Sequence, residues 1–145
     1  MSLEDLPPLR DALADAGLLA RKSFGQHFLL DLNLTAKIAR AAGPITDCAV
    51  IEVGPGPGGL TRAILEAGAA KLIAIERDER CIAALQPLIA VGEGRLAIVE
   101  ADALEIDAVG QLAARRAAMS AAIRSAAIRL LALATPVPAM LKAVP

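Results

Sequence analysis

Apolar positions along this chain fall alternately into short unbroken runs and into stripes with helical spacing. Leu9, Leu13 and Ala16 repeat at helical spacing behind Pro7 and Pro8, residues suited to a first turn, and Gly17 marks the stop. Residues Asn33 to Ala42 predict a second helix, with Leu34 and Ile38 on one face and Gly43-Pro44 behind it. Ala49 to Ile51 is an apolar run that ends in an acid, Glu52, and Ala49–Val53 is predicted as the first strand. A helix over Gly59–Ala67 follows, with Leu60, Ile64 and Leu65 inward. Next come a strand over Lys71–Ile75, a helix over Glu79–Val91 weakened by Pro87, and a strand over Leu96–Val99. Strands alternating with helices predict a parallel, doubly wound α/β sheet. No strand is predicted beyond the third, because Leu130–Ala134 is short and alanine-rich. A sheet that stops after about three strands would leave a central strand edge unpaired, and a broad thermal transition is expected of it.

The polar residues at the strand ends suggest chemistry. Ligands of such sheets sit beyond the carboxyl ends of the strands. The segment Glu52 to Gly59, Glu76 and Asp102 all fall at that edge. Gly54, Gly56 and Gly59 satisfy the G-x-G-x-x-G pattern, in which glycine lets backbone approach a ligand closely. The helix that follows opens with unpaired amides, which can hold a polar or anionic group. Glu76 ends the next strand, where an acid would meet ribose hydroxyls. That arrangement serves NAD and S-adenosylmethionine equally, since both carry an adenosine ribose.

Composition narrows the class. At 145 residues the chain is one domain's worth and can bury a core. It is 56% hydrophobic, but alanine accounts for much of this, and no uncharged apolar run reaches the roughly 18 residues of a membrane span. Glu4 and Asp5 near the start, with no apolar stretch of signal-peptide type, predict a cytoplasmic protein without membrane association. Cys48 and Cys81 are too few and too far apart for a zinc site and read as reduced thiols. The net charge of −1 hides an asymmetry: residues 1–107 hold 10 basic and 16 acidic residues, whereas residues 108–145 hold five basic residues and no acid. A boundary therefore falls near residue 107.

Four motifs, in order, carry a resemblance. They are Lys22-x-Phe24-Gly25-Gln26-His27-Phe28-Leu29-x-Asp31, Ile51-Glu52-Val53-Gly54-Pro55-Gly56-x-Gly58-x-Leu60-Thr61, Ala74-Ile75-Glu76-x-Asp78 and Glu100-Ala101-Asp102-Ala103. Over about Leu19 to Asp107 the chain resembles the bacterial 16S ribosomal RNA adenine dimethyltransferases, in their cofactor-binding N-terminal half. The resemblance implies a Rossmann-like methyltransferase domain and S-adenosyl-L-methionine as cofactor. It implies that Gly54 and Gly56 take the methionine part, Glu76 the ribose hydroxyls and Asp102 the adenine amino group, with His27 and Leu29 capping the cofactor. Arg21 and Lys22 are candidate phosphate contacts on the RNA side. The implied partner is small-subunit ribosomal RNA or a pre-ribosomal subunit, met by a monomer.

The resemblance also implies a segment this chain does not contain. Family members place asparagine-leucine-proline-tyrosine after the fourth strand, where polar acceptors hold the target amino group and the ring stacks on the extruded base. Here Asn33 is the one asparagine, and the chain has no tyrosine or tryptophan. Residues 108–145 are Ala/Arg-rich and match no family motif, which suggests either a reading-frame departure near residues 107–115 or a genuine divergent tail, an Ala-rich helix packing on the sheet or touching RNA. Weak or no methylation by this chain is expected. Two other readings are a non-catalytic module binding cofactor or RNA, and an NAD-dependent oxidoreductase.

Overall fold

A computed structural model describes residues 2–19, 30–103, 105 and 128–132, the last five by their backbone. A short 3-10 turn, Leu3–Asp5, precedes α1 (Leu9–Asp15), α2 (Leu32–Ala41), β1 (Ala49–Val53), α3 (Gly59–Glu66), β2 (Lys71–Glu76), α4 (Glu79–Val91), β3 (Leu96–Glu100) and β4 (Ile128–Ala132). The strands form one parallel sheet in the order β3-β2-β1-β4. The predicted alternation holds, with element ends shifted by a residue or two.

The expected strand count is corrected by one. β4 runs parallel to β1, with Ala49 beside Ile128 and Val53 beside Ala132. Every residue of β1 is buried, so an open edge would strand its amides and carbonyls away from water. The segment Ile128-Arg129-Leu130-Leu131-Ala132 takes up that edge. It starts two residues before Leu130–Ala134, the short, alanine-rich stretch over which no strand is predicted, and its β-branched first residue suits a strand.

Parity along the strands divides the core. Val50, Leu72, Ala74 and Leu96 face one side and meet Leu60, Ile64 and Leu65 of α3 and Leu85, Leu88 and Val91 of α4. Ala49, Ile51, Val53, Ile73 and Ile75 form a second cluster on the other side. Helix α2 packs on α3, and Ala39 of α2 joins the first cluster. Arg62 of α3 reaches back to donate from Nη1 to the Pro7 carbonyl at 2.9 Å, tying the N-terminal segment down. Leu13 of α1 and Leu18 bury Cys81 of α4.

Local signals explain the helix ends. The Asp31 carboxylate caps α2 by accepting from the Asn33 and Leu34 amides at 2.9 and 3.2 Å. The Asp78 carboxylate caps α4 by accepting from the Arg80 amide at 2.9 Å. Pro87 does not break α4. Pro87 and Ala83, whose carbonyl it deprives of the usual helical donor, are both exposed residues, away from the buried Cys81, Leu85 and Leu88.

Gly58 sits in a tightly packed position. It caps α3 with φ +94, and a Cβ there would lie 2.5 Å from Leu88 Cδ1 and 2.9 Å from Leu85 Cδ2. Both the left-handed backbone and the clash oppose any side chain. Gly58→Ala should therefore destabilise the fold by about 2 kcal/mol or more. Urea unfolding measures this; an unchanged midpoint would show that α4 can shift away from the loop without cost.

Candidate cofactor site

The carboxyl ends of β1 and β2 and the segment after β3 converge on one edge, as the sequence predicts. β1 passes directly into the glycine segment. Gly54 and Gly56 have φ of +67 and +55, in the left-handed region that favours glycine. The Gly54 amide donates to the Ile75 carbonyl at 2.9 Å, which continues the β1–β2 ladder by one residue. The loop then folds over the end of β2.

Glu76, the last residue of β2, holds the loop there. Its Oε2 accepts from the Gly56 amide at 3.1 Å, and its Oε1 accepts from the Arg77 and Asp78 amides at 2.9 and 3.0 Å. A carboxylate offers about four acceptor positions, so three are taken by backbone donors and one remains, on Oε2. The residue is buried, at 8% exposed. Two ribose hydroxyls shared between its two oxygens, as the sequence suggests, would require one of these amides to give way.

Asp102 follows β3 and lies across the edge from Glu76. The two neighbourhoods are joined by backbone, since the Ala101 amide donates to the Glu76 carbonyl at 3.0 Å. Arg77 spans the same gap: its Nη1 donates to Asp102 Oδ2 at 3.2 Å. The Arg77 side chain is 76% exposed, so this pair is held loosely and an incoming hydrogen-bond donor can compete for the carboxylate. Gly54, Gly56, Glu76 and Asp102 thus share one edge. His27, Leu29, Arg21 and Lys22 lie outside the described residues.

Glu52 is the residue whose situation the sequence misjudges. Its place at the end of an apolar run puts it among the acids of the ligand edge, but the residue is 2% exposed. Its Oε2 accepts from Thr61 Oγ1 at 2.8 Å, in the first turn of α3. Burial pushes its carboxyl up to about 8; the Thr61 hydroxyl works against this, and the negative charge of Glu76 adds to it. The spacing of Glu52 and Thr61 across the glycine segment is the one sequence signal that could have revealed the pair. Burial also pushes the Cys81 thiol up to about 12, with Glu76 and Asp78 contributing, which leaves it a packing group. No group of three or more metal-ligating side chains occurs among the described residues, and none of their helices is long and apolar enough to cross a membrane.

With this edge described, comparison with known proteins is decisive. The profile of the family described as ribosomal RNA adenine dimethylase matches residues 17–127. The chain belongs to this family. The match runs past Asp107, where the charge balance changes. Ribosomal RNA small subunit methyltransferase A of Azorhizobium caulinodans is 62% identical over 106 residues, 73% of this chain and 36% of that protein. The protein of the same name from Mesorhizobium japonicum is 63% identical over 107 residues, 74% of this chain and 38% of that protein. The chain therefore spans well under half the length of these relatives. A putative RNA methyltransferase from Pyrococcus horikoshii shares the fold at 19% identity, with a TM-score of 0.51 over 68% of this chain and 54% of that one.

The buried Glu52 generates a pH prediction for this adenine dimethylase-family chain. Its carboxyl titrates near 4.5 when exposed and near 8 when folded, so the folded state binds the extra proton between those values. Stability from this group is full below about pH 4.5 and is lost as pH rises through about 8, by about one kcal/mol for each pH unit crossed. Thermal melts from pH 5 to 8 should show a falling midpoint for the parent chain and a flatter profile for Glu52→Gln. Parallel profiles would mean that Glu52 is ionised throughout.

Proposed function

We propose that this chain carries the S-adenosylmethionine-binding part of a ribosomal RNA adenine dimethyltransferase, whose reaction places methyl groups on adenine N6 of small-subunit rRNA. The observation that carries the reading is the hydrogen bond from the Gly56 amide to Glu76, which sets a glycine turn against a ribose-type acid. Bound S-adenosylmethionine supplies an electrophilic methyl on a sulfonium. The chain's own residues supply position. Backbone at Gly54 and Gly56 takes the methionine part, where a side chain would intrude. Glu76 turns its remaining acceptor on Oε2 to a ribose hydroxyl, a charge-assisted bond and so a strong one. Asp102, which pairs with the exposed Arg77, would accept from the adenine amino group. His27 and Leu29 cap the cofactor, and Arg21 and Lys22 meet RNA phosphates.

Methyl transfer also needs the acceptor nitrogen in line with the methyl and its lone pair freed from the ring. That task requires polar acceptors and a stacking ring, and beyond Phe28 this sequence has no aromatic residue. We therefore read residues 1–107 as the cofactor-binding part and residues 108–145 as a divergent Ala/Arg-rich tail, with binding retained and turnover weak or absent. The setting we propose is cytoplasmic, with a monomer acting on rRNA or a pre-ribosomal subunit.

Two measurements test this. Calorimetry should show that the chain binds S-adenosylhomocysteine but not NAD, and that Glu76→Ala weakens this binding at least about tenfold, the equivalent of one strong hydrogen bond. Unchanged affinity in the variant would refute the ribose assignment. Methyl transfer to undermethylated small subunits should be near background; brisk turnover would show that the acceptor base is held by means other than an asparagine-to-tyrosine segment.

A further inference from the structure

The cofactor edge holds two carboxyl groups in unequal circumstances. Glu76 receives three backbone N–H donors, the bonding pattern of a carboxylate. Glu52 is 2% exposed and receives one hydroxyl, that of Thr61 at 2.8 Å. The two lie on neighbouring strands and on the same face of the sheet, since Glu52 pairs with Ala74 and Glu76 is two residues further on. Glu76 acts on Glu52 as a like charge. Among the described side chains, the elements around Glu52 bring it no cation: α3 offers Thr61 and turns Arg62 to Pro7, and Cys81 of α4, which faces Glu76, stays a neutral thiol. β4 sets Leu131 beside Glu52 in register and places Arg129, the register partner of Val50, two residues earlier on the same face of the sheet. Glu52, buried with a single hydroxyl partner, therefore carries a proton near neutrality.

The glycine segment begins two residues after Glu52, and Gly56 in it is bonded to Glu76. A cation brought to this segment would lie close to both acids and would favour the ionised form of Glu52. We infer that Glu52 is a protonation site coupled to the charge of the ligand on this loop: it keeps its proton beside a neutral ligand and releases it to solvent when a cationic ligand binds. The inference rests on the cofactor reading above, in which the donor is a sulfonium cation and its demethylated product is not. Linkage is reciprocal, so proton release on donor binding requires donor affinity to rise with pH while product affinity does not. The site would thereby favour charged donor over spent product most strongly on the alkaline side of neutrality.

Calorimetry on the full chain tests this, with S-adenosylmethionine and S-adenosylhomocysteine each titrated at pH 7 in phosphate and in Tris, buffers of different ionisation heat. The expected result is a buffer-dependent heat for S-adenosylmethionine, equivalent to release of up to about one proton, and none for S-adenosylhomocysteine. Donor affinity should rise by up to about tenfold from pH 6 to pH 7, with product affinity flat. Glu52→Gln, which imitates the protonated acid, should bind both ligands without proton release. Thr61→Val removes the hydroxyl donor and should move the pH response of donor binding upward. Equal release with both ligands, undiminished release in Glu52→Gln, or an unshifted response in Thr61→Val would overturn the inference and leave the cofactor reading standing. Absence of binding by either ligand would overturn both.

Discussion

The hydrogen bond between the Gly56 amide and Glu76 is the contact on which this edge depends. It joins the segment leaving β1 to the last residue of β2, two points twenty residues apart in sequence. Without it the glycine segment would be a flexible turn; with it, the segment's backbone and an acid that can accept from a ligand are set in one place. The bond is possible because parallel register brings Val53 beside Ile75, and Gly54 then extends the ladder by one bond. Packing beneath it is equally specific. Gly58 admits Leu85 and Leu88 so closely that the loop's path and the seating of α4 are a single geometric fact.

Much of this was legible in the sequence. The strands β1 to β3 and the helices between them follow from short apolar runs, helical stripes and glycine stops. Their order places Gly54, Gly56, Glu76 and Asp102 along one edge. These features are local, and local rules reach them. What escaped were features decided by distant parts of the chain. β4 is made a strand by the vacant edge of β1 more than by its own composition. Pro87 is harmless because of the side of α4 on which it falls, which only packing reveals. Glu52 reads as one of the polar groups at the ligand edge because its neighbours in sequence lead into a turn, whereas it is buried with its carboxyl on Thr61 of α3.

That burial separates two acids that look alike on paper. One is surrounded by backbone donors and held ready as an acceptor; the other has a single hydroxyl and a like-charged neighbour. Residue type and spacing put both at a nucleotide-type site. Their hydrogen-bond surroundings make them chemically different groups.

The position of β4 also bears on how the chain acquires its fold. β1 finds β2 across one short helix, and β2 finds β3 across another, so these pairings are local. The partner of β1 on its other side lies several times farther along the chain, which makes that closure the slowest in entropic terms. During synthesis the first three strands and their helices can assemble while Ile128 is still within the ribosome. Until it emerges, the central strand shows one bare edge to the surroundings. The interval between those events, set by translation speed, is when this chain is most open to pairing with the wrong strand.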